Sequence, residues 1–325
     1  MSNIRLVTDL AECHAVWEQL VPRQNLTDLW EVRECFQRHF RRPACFLVAE
    51  DRSGLRGLLP LSWIDEHGYY GLFPGETWAG KTWLEQNRAI AQSDDVLDEL
   101  LSRCPGRYHL RYLSASESAP RIGRNVDEIG YLFHPPQYGY DLGEYFSVFS
   151  HKSAKRLRTE LVQFEVPGVT YRHEDLDDFD RLVDMNVGRF GEGSYFHDVR
   201  FRESFRSLLH LFRDRGWLRL TAVLIGGELA AVDIGCLHEN TYTLLGGGTH
   251  PGYPGVAKLI NIHHMNRACE ERIGTVDFLC GDFSWKKLFH LTPRPLHLIS
   301  NAVIAHPEAA RHSEAVGIGS ETCVR

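Results

Sequence analysis

No stretch of this 325-residue chain approaches 18 consecutive apolar residues, and none of its eight cysteines forms a Cys-x-x-Cys pair or falls into short, regular disulfide spacing. A membrane-spanning helix is therefore not expected, and most of the thiols are expected to be buried in a reducing compartment. The start, MSNIRLVTDLAECH, lacks the positive-then-apolar pattern of an export signal, so a cytoplasmic protein is expected. Excess positive charge is missing too. The formal charge of -7 argues against an undirected nucleic-acid binder, leaving only local basic patches to meet an anion. Metal-ligand spacing is also lacking: His263 and His264 are adjacent on a helical pattern and point apart, so no metal is expected.

What is present is ordinary globular composition, 43% hydrophobic and 24% charged, in a chain long enough for two domains. In the first half, residues 9–40 read as helices, and 44–50, 55–63 and 68–73 as strands, followed by a helix near 93–103 and a strand over 107–113. The second half is clearer. Phe201, Phe205, Leu208 and Phe212 recur at helical spacing, three strands follow over 217–224, 228–237 and 241–247, and Val256, Leu259, Ile262 and Met265 mark another helix before the strand TVDFLC. The order there is strand, helix, helix, three-strand meander, helix, strand, short helix, strand. Boundaries are expected at 1–145 and 146–306, with a tail over 307–325.

The run TYTLLGGGTHPGYPGVAKL carries the most chemistry. A strand that empties through Gly248 and its neighbours into a helix opening at Pro254-Gly255 leaves first-turn N–H groups unpaired, at the positive end of the helix dipole. A pyrophosphate held by Gly255, Val256 and Ala257 is the expected guest. Asp233 interrupts an apolar strand, where a carboxylate needs a partner, such as Arg219, or takes a raised pKa suited to a general base. Lys152, Lys155, Arg156 and Arg158 form a basic helix beginning at 151.

That basic helix, the segment RFGEGSYFHD (189–198), the hairpin GGELAAVDIG (226–235), the loop PGYPGVAKL and VDFLCGDFSWKKLF (276–289) together resemble the GNAT acyltransferase superfamily, in the branch of CelD-like and Fem-type enzymes. The resemblance implies an α/β (α+β) fold of two tandem GNAT-like domains, each a mixed, mostly antiparallel sheet flanked by helices. It also implies an N-acyltransferase using acyl-CoA or acetyl-CoA, with a small-molecule or cell-envelope precursor amine as acceptor. Aminoacyl-tRNA is the alternative donor, but the long helical arm of many Fem-type enzymes has no counterpart here. A non-catalytic pair that binds an acyl carrier or protein partner is the other alternative. The implied site comprises Lys286 of the Trp285-Lys286 pair, Asp282 (otherwise a helix cap) and Asp233 in catalysis, with Lys155, Arg156 and Phe196 on the acceptor. The loop departs from the usual GNAT pattern of Arg or Gln before closely spaced glycines, having Tyr253-Pro254-Gly255 instead.

Overall fold

The structure, a computed structural model, describes residues 3–281 and 284–302. The chain begins with β1 (Asn3–Val7), α1 (Leu10–Leu20) and α2 (Trp30–Phe40). A meander follows of β2 (Ala44–Asp51), β3 (Gly54–Ile64) and β4 (Tyr69–Leu72), with the short β5 (Ile90–Ala91), then α3 (Asp94–Ser102), β6 (His109–Leu113) and β7 (Val126–Phe133). Helices α4 (Leu142–Ser147) and α5 (His151–Val162) lead into β8 (Val169–His173), α6 (Asp178–Phe190) and α7 (Val199–Asp214). The meander β9 (Leu218–Ile225), β10 (Glu228–His238) and β11 (Thr241–Thr249) precedes α8 (Val256–Glu270), β12 (Thr275–Cys280), α9 (Ser284–Leu288) and β13 (Thr292–Ser300). The element order expected for the second half is the one observed, and the fold is α/β, with mostly antiparallel sheets flanked by helices.

Local chemistry fixes the turns and ends. Gly226 and Gly227 both take positive φ, 58° and 88°, the geometry a two-residue hairpin between β9 and β10 requires. Asp198 caps α7 by accepting the Arg200 N–H at 2.8 Å. The apolar stripe Phe201, Phe205, Leu208 and Phe212 then buries fully against the sheet.

Five strands form the first sheet, ordered β1-β2-β3-β4 with β5 on β3. Eight form the second, ordered β6-β13-β7-β12-β11-β10-β9-β8, so it takes strands from both sides of residue 145. β13 lies between β6 and β7, antiparallel to both. The sheets meet where Tyr70 bridges Tyr108 and its N–H reaches the Arg107 carbonyl at 2.8 Å.

One apolar core joins the halves as well. Phe36 and Phe40 of α2 pack edge-on against Phe201 of α7, and Trp83 meets Phe205 with ring centroids 4.8 Å apart. These aromatics belong to the cluster that α6 and α7 bury on one face of the large sheet, while α8 covers the other face with Tyr242, Met265 and Val276. Dense packing of this kind holds the loop over 76–87 against the end of β12 and positions the candidate site.

Candidate active site

β11 and β12 run parallel and pair only from Thr241 to Thr243 against Thr275 to Asp277, after which they part. The cause lies in β12. The Asp277 carboxylate accepts the Leu279 N–H at 2.9 Å, Leu279 adopts a φ of 55°, and the register with β7 shifts between Asp277 and Cys280. A bulge of this kind turns the strand aside and strips carbonyls of ladder partners, and buried carbonyls require donors. Lys286 supplies them. Its Nζ donates to the carbonyls of Phe278 (2.9 Å), Leu279 (2.9 Å) and Cys280 (2.8 Å). The lysine is 2% exposed, and burial lowers its pKa.

The first half sends Glu85 and Gln86 to the same place. The Cys280 N–H donates to both Glu85 oxygens, at 2.7 and 2.9 Å, and Gln86 Nε2 donates to Asp277 at 3.0 Å. Asp277 is also bound by Arg294 Nη1 at 2.7 Å, and Arg294 lies 3.8 Å from Glu85. Burial first, and the neighbouring Asp277 charge second, push the Glu85 carboxyl up to about 7. Glu85, 5% exposed, lines a small recess with Gln86, Trp83, Thr243, Leu245 and Leu279. The recess lies beside the parting of β11 and β12, between the sheet, Leu208 and Phe212 of α7, and the first half.

The glycine tract of β11 forms the other edge of the gap. A Cβ on Gly246 would stand 2.6 Å from the Tyr195 hydroxyl, one on Gly247 2.0 Å from Asp233 Oδ1, and one on Gly248 2.6 Å from the Leu182 carbonyl. Gly248 is therefore a close-packing position against α6, which corrects the expectation that it binds a donor. Gly255 differs: it caps α8 at a φ of 91°, and its nearest prospective Cβ neighbours are Gln163 and Phe164 at 3.7 and 3.9 Å. Backbone there has room for a close approach. Of the three expected donor amides, that of Val256 already reaches the Tyr253 carbonyl at 3.1 Å, so the Gly255 and Ala257 N–H groups are the ones left for an anion.

Asp233 sits elsewhere, in a chain of its own. His264 Nε2 lies 3.1 Å from Asp233 Oδ2, and His264 Nδ1 lies 3.0 Å from the Tyr242 hydroxyl. His264 is 0% exposed and Asp233 15%, so the expected partner Arg219 is replaced by a buried histidine that ties β10, β11 and α8 together. Phe196 is wholly buried against Phe179 and Phe205, beyond the reach of a substrate. Lys155 and Arg156 are exposed on α5, where Arg156 pairs with Glu160 at 2.9 Å. Asp282 lies outside the described residues. Among the described residues no three His, Cys, Asp or Glu side chains gather in a way that could hold a metal ion, and no helix is long and apolar enough to cross a membrane.

The sequence over residues 151–287, which holds β11, the Gly255-capped α8 and β12, matches the model of the acetyltransferase (GNAT) domain. This part of the chain is a GNAT domain. Solved structures extend the likeness to almost the whole chain, though only at the level of fold. FemX superposes with a TM-score of 0.58 at 9% identity, covering 92% of this chain and 97% of that one. L-PGS from Bacillus licheniformis gives 0.54 at 11%, covering 91% and 94%. A conserved protein of unknown function from Bacteroides thetaiotaomicron gives 0.53 at 13%, covering 92% and 99%. No curated protein matches the sequence. Glu85 reaches residues 151–287 from outside them and had no signal in sequence: it lies in GETWAGKTWLEQN, a stretch without helical or strand periodicity, and only the fold brings it to β12.

Proposed function

We propose that this protein is an N-acyltransferase that moves an acyl group from a CoA-type thioester to an amine by direct attack. The observation that carries the reading is the parting of β11 and β12 beyond Thr243 and Asp277, beside a recess whose one buried carboxylate is pushed up to about 7, with α8 opening on Gly255 after β11. The Gly255 and Ala257 amides would take pyrophosphate oxygens, and the side-chain-free edge of β11 would border the donor's arm. At the recess the attacking amine forms the new C–N bond while the C–S bond breaks. Glu85 takes the ammonium proton, and the departing thiolate is protonated in turn. Lys286 acts through the backbone: by holding the bulge it fixes the Cys280 N–H that orients Glu85.

Calorimetry with acetyl-CoA tests the donor site. Wild type should bind, and Gly255→Glu, which places a carboxylate at the helix end, should bind at least about tenfold more weakly than Gly255→Ala, which shares the strain of a side chain at a φ of 91° and with it any fall in melting temperature. Equal affinities would remove α8 as the anion site. Wild-type protein that ignores acetyl-CoA but transfers from aminoacyl-tRNA would overturn the thioester reading, and tight binding with no acylated amine formed would leave a binding module.

A further inference from the structure

Helix α5 carries a charge pattern that the transfer chemistry leaves unused. Ala154, Leu157 and Leu161 face inward onto the cluster around Tyr145, Met265 and Phe278, while Lys152, Lys155 and Arg158, at steps of three, lie exposed on the opposite side. None of those three has an ion pair among the described residues. In a chain of net charge -7 this is a local reversal of sign. Its location matters: Glu160 pairs with Lys258 in the first turn of α8, and Gln163 and Phe164 are the nearest prospective side-chain neighbours of Gly255. The helix that carries the cationic face therefore abuts the first turn of α8. At the last residue of the helix and just past it, Val162 and Val166 are 50% and 90% exposed.

Three anionic partners could meet such a face, and their charge requirements differ. A tRNA held by its backbone presents a long run of phosphates, of which three cations on a helix roughly 18 Å long meet only a few. Free CoA places its phosphates at the α8 end, where the Lys258 charge is already matched by Glu160, and leaves the outer face of α5 untouched. An acidic protein surface fits best, because a few carboxylates at helical spacing answer Lys152, Lys155 and Arg158, and the exposed valines add apolar contact at one end.

We propose that α5 is the docking surface for an acidic carrier protein that presents the acyl group on a phosphopantetheine arm, delivering it past the α8 terminus into the β11/β12 gap. The inference rests on the thioester reading above. The contact is of the small, transient kind, with charge setting encounter rate and salt dependence.

The test titrates the full-length protein with an acetylated acyl carrier protein, with the same carrier lacking its arm, with acetyl-CoA and with a bulk tRNA preparation. Two variants are compared with wild type: Lys152→Glu/Lys155→Glu/Arg158→Glu and the milder triple alanine, each checked for an unchanged melting temperature. Wild type should bind the acetylated carrier, more weakly as salt rises. The glutamate variant should lose about tenfold or more in carrier affinity and most of the salt dependence, the alanine variant less, and acetyl-CoA affinity should move less than threefold in both. Equal carrier affinity in wild type and both variants, or no carrier binding at low salt beside normal acetyl-CoA binding, would overturn the docking surface and leave the thioester reading standing. Failure of both acetyl-CoA and the carrier to bind would sink the thioester reading itself. Tight tRNA binding abolished by the same variants would reassign the face to RNA.

Discussion

Glu85→Gln is expected to lower the maximal acyl-transfer rate by about a hundredfold or more while acetyl-CoA affinity stays near that of wild type. General-base catalysis contributes on the order of 10²–10⁴, and the amide keeps the shape of the carboxylate without its proton affinity. The pH profile separates this from mere disturbance. Burial and Asp277 raise Glu85, and the hydrogen bonds from Cys280 and the Arg294 charge only partly offset them, so the carboxyl is protonated below about 7 and cannot accept the ammonium proton there. Wild-type kcat/KM should therefore climb through a step near pH 7, and in the variant that step should vanish. Stability gives an independent sign. A carboxyl raised from 4.5 to about 7 favours the folded state only while it is protonated, so wild type loses stability as pH rises across that window, and Glu85→Gln should not. A variant with full rate and an intact step at pH 7 would remove Glu85 from the chemistry.

Lys286→Met is expected to lose both stability and rate. The substitution keeps an unbranched stem in a buried site but leaves the carbonyls of Phe278, Leu279 and Cys280 without their charged donor. Hydrogen bonds to a charged group contribute about 1.5–3 kcal/mol each, and breaking a buried charged arrangement costs about 3–5 kcal/mol. At roughly 2–4 °C per kcal/mol for a chain of this size or somewhat smaller, the melting temperature should fall by on the order of 10 °C. The rate should fall with it, because a relaxed bulge no longer aims the Cys280 N–H at Glu85. A lysine acting directly on the developing oxyanion would behave differently, losing rate with stability intact, and unfolding by heat monitored alongside turnover distinguishes the two.

The features legible in sequence were those written into local periodicity and turn chemistry. The apolar stripe of α7, the paired positive-φ glycines before β10 and the helix opening at Gly255 each declare themselves within a few residues, and with them came the GNAT fold of the second half. The features that were not legible depend on contacts far apart in the chain. Lys286 follows β12 closely, yet its role emerges only once the Asp277–Leu279 hydrogen bond bulges the strand and exposes three carbonyls. Glu85 lies 195 positions before its partner Cys280, in a loop with no periodicity. Asp233 did call for a partner, but the one it has, His264, sits on a helix where neighbouring histidines gave no indication of which would turn inward. The triple glycine misled for a similar reason: Gly248 lacks a side chain to admit the Leu182 carbonyl rather than to admit a phosphate.

Amide hydrogen exchange in the presence of saturating acetyl-CoA tests most directly whether the donor lies in the gap between β11 and β12. The account predicts slowed exchange over Leu244–Thr249, at the Gly255 and Ala257 amides and around Cys280, with the first sheet unchanged. Protection confined to β4 and β6, or none anywhere despite measurable binding, would contradict it.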